Sequence, residues 1–144
     1  MLKIYAGGTY DCFHHGHVRL FKYLKNMDKD SFVIAAVNGD HFTTTYKGRR
    51  PILNEQERCE IVGACKYVDL AFIINDFKDQ RRYIEAIMPR FIAHGTDWRG
   101  DSLLNQLSID KDFLTENGIQ MVYPDSTPGI STTEIINRFI EREE

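Results

Sequence analysis

The 144-residue chain is poor in cysteine and proline, has no long apolar run, and carries no excess of positive charge. Cys12, Cys59 and Cys65 are an odd number without CxxC spacing, so neither a disulfide framework nor a zinc knuckle is indicated and reduced thiols are expected. No apolar run approaches the roughly 20 residues that span a bilayer. No basic stretch followed by an apolar core stands near Met1, so a soluble, cytoplasmic protein with no membrane partner is expected. Lys and Arg number 18 against 21 Asp and Glu, a formal charge of −3. That balance excludes a general basic field for coating nucleic acid, and positive charge has to act locally. There is no repeat, low-complexity segment or linker. At this length, with 42% hydrophobic residues, a single domain over residues 1–144 with one site is expected.

Short apolar runs rich in β-branched and aromatic residues recur at Leu2–Ala6, Phe32–Val37, Leu70–Ile74, Phe91–Ala93 and Gln120–Tyr123, the pattern of buried strands. Between them lie stretches with helical spacing: Val18, Leu20, Phe21 and Leu24; Ile61, Val62 and Cys65; Tyr83, Ile84, Ile87 and Met88. Crossovers long enough to hold a helix make the strands parallel and covered on both faces. The expected fold is therefore α/β, one doubly wound (Rossmann-like) domain with a five-stranded parallel sheet, its ligands at the carboxyl ends of the strands. Punctuation agrees. Asn54 with Glu57, and Ser131 with Glu134, have the spacing of a helix cap followed by an acid. Gly118 stands where a helix over residues 111–117 would end.

Chemistry concentrates in four segments. The first strand runs into Gly7 and then Gly8-Thr9-Tyr10-Asp11-Cys12-Phe13-His14-His15-Gly16-His17. Glycines allow close approach of backbone to a ligand, a following helix N-terminus offers N–H groups to phosphate, and imidazoles can donate to an oxygen on which charge builds. The second segment, Lys47-Gly48-Arg49-Arg50-Pro51, precedes the Asn54-capped helix containing Arg58. It is either a solvated loop or a cationic lid over phosphates, coming directly off strand two. The third is His94-Gly95-Thr96-Asp97-Trp98, after strand four. The fourth, Gly129-Ile130-Ser131-Thr132-Thr133-Glu134, is either a helix cap alone or a helix N-terminus with three hydroxyls presented to a triphosphate.

Gly8-Thr9-Tyr10-Asp11 with His14-His15-Gly16-His17 resembles the G-T-F-D-x-x-H-x-G-H signature of the cytidylyltransferases, with glycerol-3-phosphate cytidylyltransferase the nearest in size. The other segments resemble that family in the same order. The resemblance implies transfer of CMP from CTP to a phosphorylated small molecule, with pyrophosphate released, Mg²⁺ carried on the triphosphate, no metal site of the chain's own, and a homodimer. It assigns His14, His17 and Lys47 to catalysis, and leaves out His15, at a variable position. Gly8, Thr9, Tyr10, Gly16, Arg49, Gly95, Asp97, Trp98, Thr127, Gly129, Ile130, Ser131 and Thr132 fall to the nucleotide, and Asp11, Lys47 and Arg58 to the substrate. Where the family has R-T-E before G-I-S-T-T, this chain has Ser126-Thr127-Pro128. Arg81 is the candidate, with Arg82, to supply the missing cation on the substrate side. The same fold with ATP, as an adenylyltransferase, and a catalytically silent nucleotide-binding module are the alternative readings.

Overall fold

The computed structural model describes residues 1–94, 104 and 107–143. Five strands, β1 (Leu2–Gly8), β2 (Ser31–Asn38), β3 (Leu70–Ile74), β4 (Phe91–Ala93) and β5 (Gln120–Val122), form one sheet in the order β3-β2-β1-β4-β5. Every pairing is parallel. The chain winds outward from β1 through β2 to β3 and then returns to β4 on the other side of β1. The strand order reverses between β1 and β4, and a crevice at the carboxyl ends of those strands follows from the topology.

Alternation along the strands builds two apolar layers. Ile4 and Ala6 of β1, with Val33, Ala35 and Val37 of β2, face Phe21 and Leu24 of α1 (His15–Lys25) and Val62 of α3 (Glu55–Gly63). On the other side, Tyr5, Ile34 and Ala36 pack with Phe42 of α2 (Asp40–Lys47), Ile84 of α4 (Lys78–Ile87) and Phe113 of α5 (Lys111–Glu116). Phe21 and Leu24 have no exposed surface, and burial of side chains this large stabilises the fold by about 1.5–3 kcal/mol each. Asn54 and Glu57 cap α3 reciprocally. Ser131 Oγ accepts the Glu134 N–H at 3.0 Å at the start of α6 (Thr132–Glu143), and Gly118 takes φ 64° just after α5.

Two boundaries differ from the sequence pattern. β1 continues through Gly8, which pairs with Val37, and α1 begins at His15, so the His-x-Gly-His segment is the helix's first turn. The cationic segment does not come directly off β2 either. Helix α2 intervenes, Lys47 is its last residue, and Gly48 closes it at φ 75°. Three consecutive threonines, Thr43 to Thr45, are weak helix formers. The helix is held instead by buried Phe42, whose ring meets Tyr46 edge-on at 5.4 Å, and by the left-handed glycine at its end. Among the described residues no helix is long and apolar enough to cross a membrane.

Candidate active site

Where β1 ends, the two histidines fold onto each other and onto the helix they begin. His14 is the N-cap of α1: its Nδ1 accepts the Gly16 N–H at 3.1 Å, while Nδ1 of His17, at N3, accepts the His14 N–H at 3.1 Å. The three-residue spacing of the motif is thus that of a capping box, with imidazoles in place of the usual hydroxyl and carboxylate. An Nδ1 that accepts carries no proton, which puts the proton of each neutral ring on Nε2. The rings stack at 3.8 Å between centroids. Phe13 stacks on the His17 ring at 5.3 Å and Tyr10 meets it edge-on at 5.5 Å.

Burial, joined by the neighbouring His14, lowers the His17 pKa to about 3; Asp11 opposes this and Lys47 adds to it. Burial, with His15, also lowers that of His14. Near neutral pH both imidazoles are uncharged Nε2–H donors. Gly16 has no Cβ because one would stand 2.9 Å from the His14 ring and 3.1 Å from Ile130. Gly8 is required in the same way, since its Cβ would stand 2.9 Å from the Tyr10 ring. Tyr10 itself is held at φ 55°. Its buried ring and the bond from its hydroxyl to the Ala6 carbonyl at 2.8 Å offset a backbone cost of roughly 1–2 kcal/mol.

A cleft of about 460 Å³ opens beside this turn. It brings together Gly8, Thr9, Tyr10, Asp11 and His17 from the first segment, Lys47 and Arg49 from the second, and Ser131 and Thr132 from the fourth. Lys47, Arg49 and Arg50 are exposed on its rim. The α6 N-terminus closes the far side. Thr132 Oγ1 donates to the Asp11 carbonyl at 2.9 Å and Ser131 Oγ caps Glu134, so these hydroxyls fix the helix end, and its backbone N–H groups and dipole are what it offers an anion.

Other expected residues stand elsewhere. Arg58 is wholly buried and has no surface to offer a substrate. Its Nε donates to Leu53 O at 2.9 Å, its Nη1 to Thr9 O and Asn38 O at 2.7 Å each, and its Nη2 to Asp40 Oδ1 at 2.8 Å. It therefore ties together the ends of β1 and β2, the start of α2 and the approach to α3. Asp11 lines the cleft, but its carboxylate is taken up by chain N–H groups: Oδ2 accepts from Ile52 at 2.7 Å, and Oδ1 from Leu53 at 3.0 Å and Cys12 at 3.1 Å. That clasp fixes the cationic segment against the histidine turn. Arg81 is not among the described cleft residues. It pairs with Glu85 at 2.7 Å and lies over the Phe113 ring; the extra cation on the rim is Arg50. His14, Gly16, Thr127, Gly129 and Ile130 are not among the residues that line the cleft; His14 meets it through the His17 ring on which it stacks, and Ile130 packs at Gly16. Gly95, Asp97 and Trp98 lie outside the described residues.

Asn38, Thr43, Tyr46, Ile52 and Ile136 also line the cleft and carry no motif. Position is the one signal that points to the first of them: Asn38 directly follows the predicted strand Phe32–Val37, at a carboxyl end where this fold places ligands. Among the described residues no group of three or more His, Cys, Asp or Glu side chains is disposed to hold a metal ion.

Comparison with known proteins gives the family and the fold. Residues 5–138 match the cytidylyltransferase-like family. The chain is 31% identical over 144 residues to human choline-phosphate cytidylyltransferase A, covering 96% of this chain and 36% of that protein's length. It thus spans about a third of that relative. It is 30% identical to the FAD synthase of Methanosarcina mazei, covering 99% of this chain and 91% of that one. In fold it is similar to a lipopolysaccharide core biosynthesis protein from Thermoplasma volcanium, with a TM-score of 0.67 and 24% identity over 88% of this chain and 97% of the other. With nearly its whole length matched and its histidine turn at the sheet's switch point, the chain belongs to the cytidylyltransferase-like family.

Proposed function

We propose that the chain is a nucleotidyltransferase that moves CMP from CTP to a phosphorylated small molecule, glycerol-3-phosphate or a similar phospho-alcohol or phosphonate. The observation that carries this reading is a pair of stacked, uncharged imidazoles, each locked as an Nε2–H donor, beside a cleft rimmed by Lys47, Arg49 and Arg50. A phosphate oxygen of the acceptor attacks the α-phosphorus. The bond from that phosphorus to the α,β-bridging oxygen breaks, and pyrophosphate leaves with the electron pair. Such transfer needs positioning and charge neutralisation rather than a covalent nucleophile. His14 and His17 donate to the α-phosphate and the bridging oxygen as charge builds there. Lys47 and Arg49 neutralise the reacting phosphates, and the α6 N-terminus receives the β- and γ-phosphates. Arg58 acts through the backbone it holds. Magnesium accompanies the triphosphate; the described cleft residues do not form a binding set for it.

The test is a pyrophosphate-release screen of four nucleoside triphosphates against phosphorylated alcohols, sugars and phosphonates. CTP-dependent release with a phospho-alcohol supports the proposal. Preferential use of ATP would favour an adenylyltransferase, the reading supported by similarity to an FAD synthase over most of its length. Nucleotide binding without release would leave a silent module. A homodimer is proposed with this function, its contact including Phe139 and Ile140, which are exposed on α6. Sedimentation at micromolar concentration should give twice 16.7 kDa, and a monomer throughout would refute it.

A further inference from the structure

Two polar atoms in the wall of the cleft have no partner. Asn38 Oδ1, at the end of β2, and Thr43 Oγ1, one turn into α2, are buried without a hydrogen bond. Their residues are 3% and 1% exposed, and both line the cleft. Buried polar groups are nearly always satisfied, and an orphan beside a ligand cleft is a group awaiting the ligand. Next to them stand two more neutral hydroxyls, Thr9 and Tyr46, 2.9 Å apart, with the Tyr46 hydroxyl 3.5 Å from Asn38 Nδ2. This wall lies below the Lys47 to Arg50 rim, so a molecule held at the rim by its phosphate extends its remaining atoms toward it.

We infer that Asn38 and Thr43 form a neutral hydrogen-bonding subsite that selects acceptors bearing free hydroxyl groups over acceptors bearing an ammonium group. The inference rests on the acceptor site of the proposed reaction. An acceptor hydroxyl donates to Asn38 Oδ1, and another exchanges a hydrogen bond with Thr43 Oγ1. Both oxygens are buried in the cleft wall, so an acceptor reaches them only as neighbouring side chains give way. A quaternary ammonium has no N–H to donate and needs a carboxylate or an aromatic cage. Asp11 is the one acid among the described cleft residues, and its oxygens are engaged by backbone N–H groups. Besides imidazoles, the rings among the described cleft residues are those of Tyr10 and Tyr46; Tyr10 is buried against His17 and Phe21. A primary ammonium has donors but meets the repulsion of the three rim cations.

The experiment is steady-state kinetics with CTP and glycerol-3-phosphate, ribitol 5-phosphate, phosphocholine and phosphoethanolamine, on the parent, Thr43→Val and Thr43→Ser. The parent should prefer the hydroxylated acceptors by at least tenfold in kcat/KM. Thr43→Val has the same shape without the hydroxyl and should raise the KM for those acceptors about fivefold, the worth of one neutral hydrogen bond. It should leave the KM for CTP within twofold and the melting temperature equal or higher, because it removes an unsatisfied buried group. Thr43→Ser should restore the acceptor KM. Equal use of phosphocholine or phosphoethanolamine, or an unchanged acceptor KM in Thr43→Val, overturns this inference and leaves the proposed reaction standing. Absence of CTP-dependent release with every acceptor overturns both.

Discussion

Each histidine of the first turn does two things that substitution can separate, because capping uses Nδ1 and the proposed catalysis uses Nε2–H. His14→Ala removes both. Loss of an N-cap costs about 1 kcal/mol, which for a chain of this size lowers the melting temperature by roughly 2–4 °C. Loss of one transition-state donor costs about 2.7–4 kcal/mol, or 10²- to 10³-fold in kcat. His14→Ser keeps the cap, since a serine hydroxyl accepts the same kind of backbone N–H that Nδ1 accepts from Gly16, but it is too short to replace Nε2. His17→Gln likewise keeps an N3 acceptor for the His14 N–H while drawing the donor back from the imidazole's reach. Both variants should therefore melt within about 1–2 °C of the parent and still lose at least about 100-fold in turnover. Thermal melts with pyrophosphate-release assays on the three variants decide the matter. If His14→Ser retains more than a tenth of parental turnover, capping alone explains His14 and its catalytic assignment is wrong.

Protonation of His17 supplies a second test. The unfolded chain takes up that proton near pH 6.5 and the folded chain only near about 3, so the stability associated with the neutral ring is present above 6.5 and is lost as pH falls through that window, at up to about 1.4 kcal/mol per pH unit. His17→Gln should flatten unfolding free energy against pH between 6 and 4, and identical slopes in parent and variant would refute the assignment. Lys47→Ala and Arg49→Ala should each raise KM for one substrate and lower kcat, since a phosphate ligand acts before and during transfer; unchanged constants for both substrates would return the rim to solvent. Arg58→Ala should destabilise by about 2–5 kcal/mol, because it empties a wholly buried site and leaves the Thr9 and Asn38 carbonyls without their donor, and a loss below about 1 kcal/mol in denaturant unfolding would contradict the bonding described.

What was legible in the sequence had a local cause. The strands announce themselves through β-branched runs, and the histidine motif through a spacing that is also a capping spacing. Helix α2 has no such local cause: Thr43, Thr44 and Thr45 argue against a helix, and packing of Phe42 decides for one. The arginines show the limit most sharply. On pattern alone Arg58 and Arg49 are equivalent cations near a phosphate site. Arg58 is removed from that role by acceptors distant in sequence, the carbonyls of Thr9 and Asn38 and the carboxylate of Asp40, which meet only because β1 and β2 are neighbours in the sheet. Arg81 is taken by a neighbour one helical turn away. Which cations remain for a ligand is thus a property of the topology: a guanidinium is available to phosphate where the fold supplies no carboxylate or carbonyl of its own. By that criterion, among the described residues, Arg50 on the rim beside Arg49 is better placed than Arg81 to stand in for the arginine that Ser126 replaces.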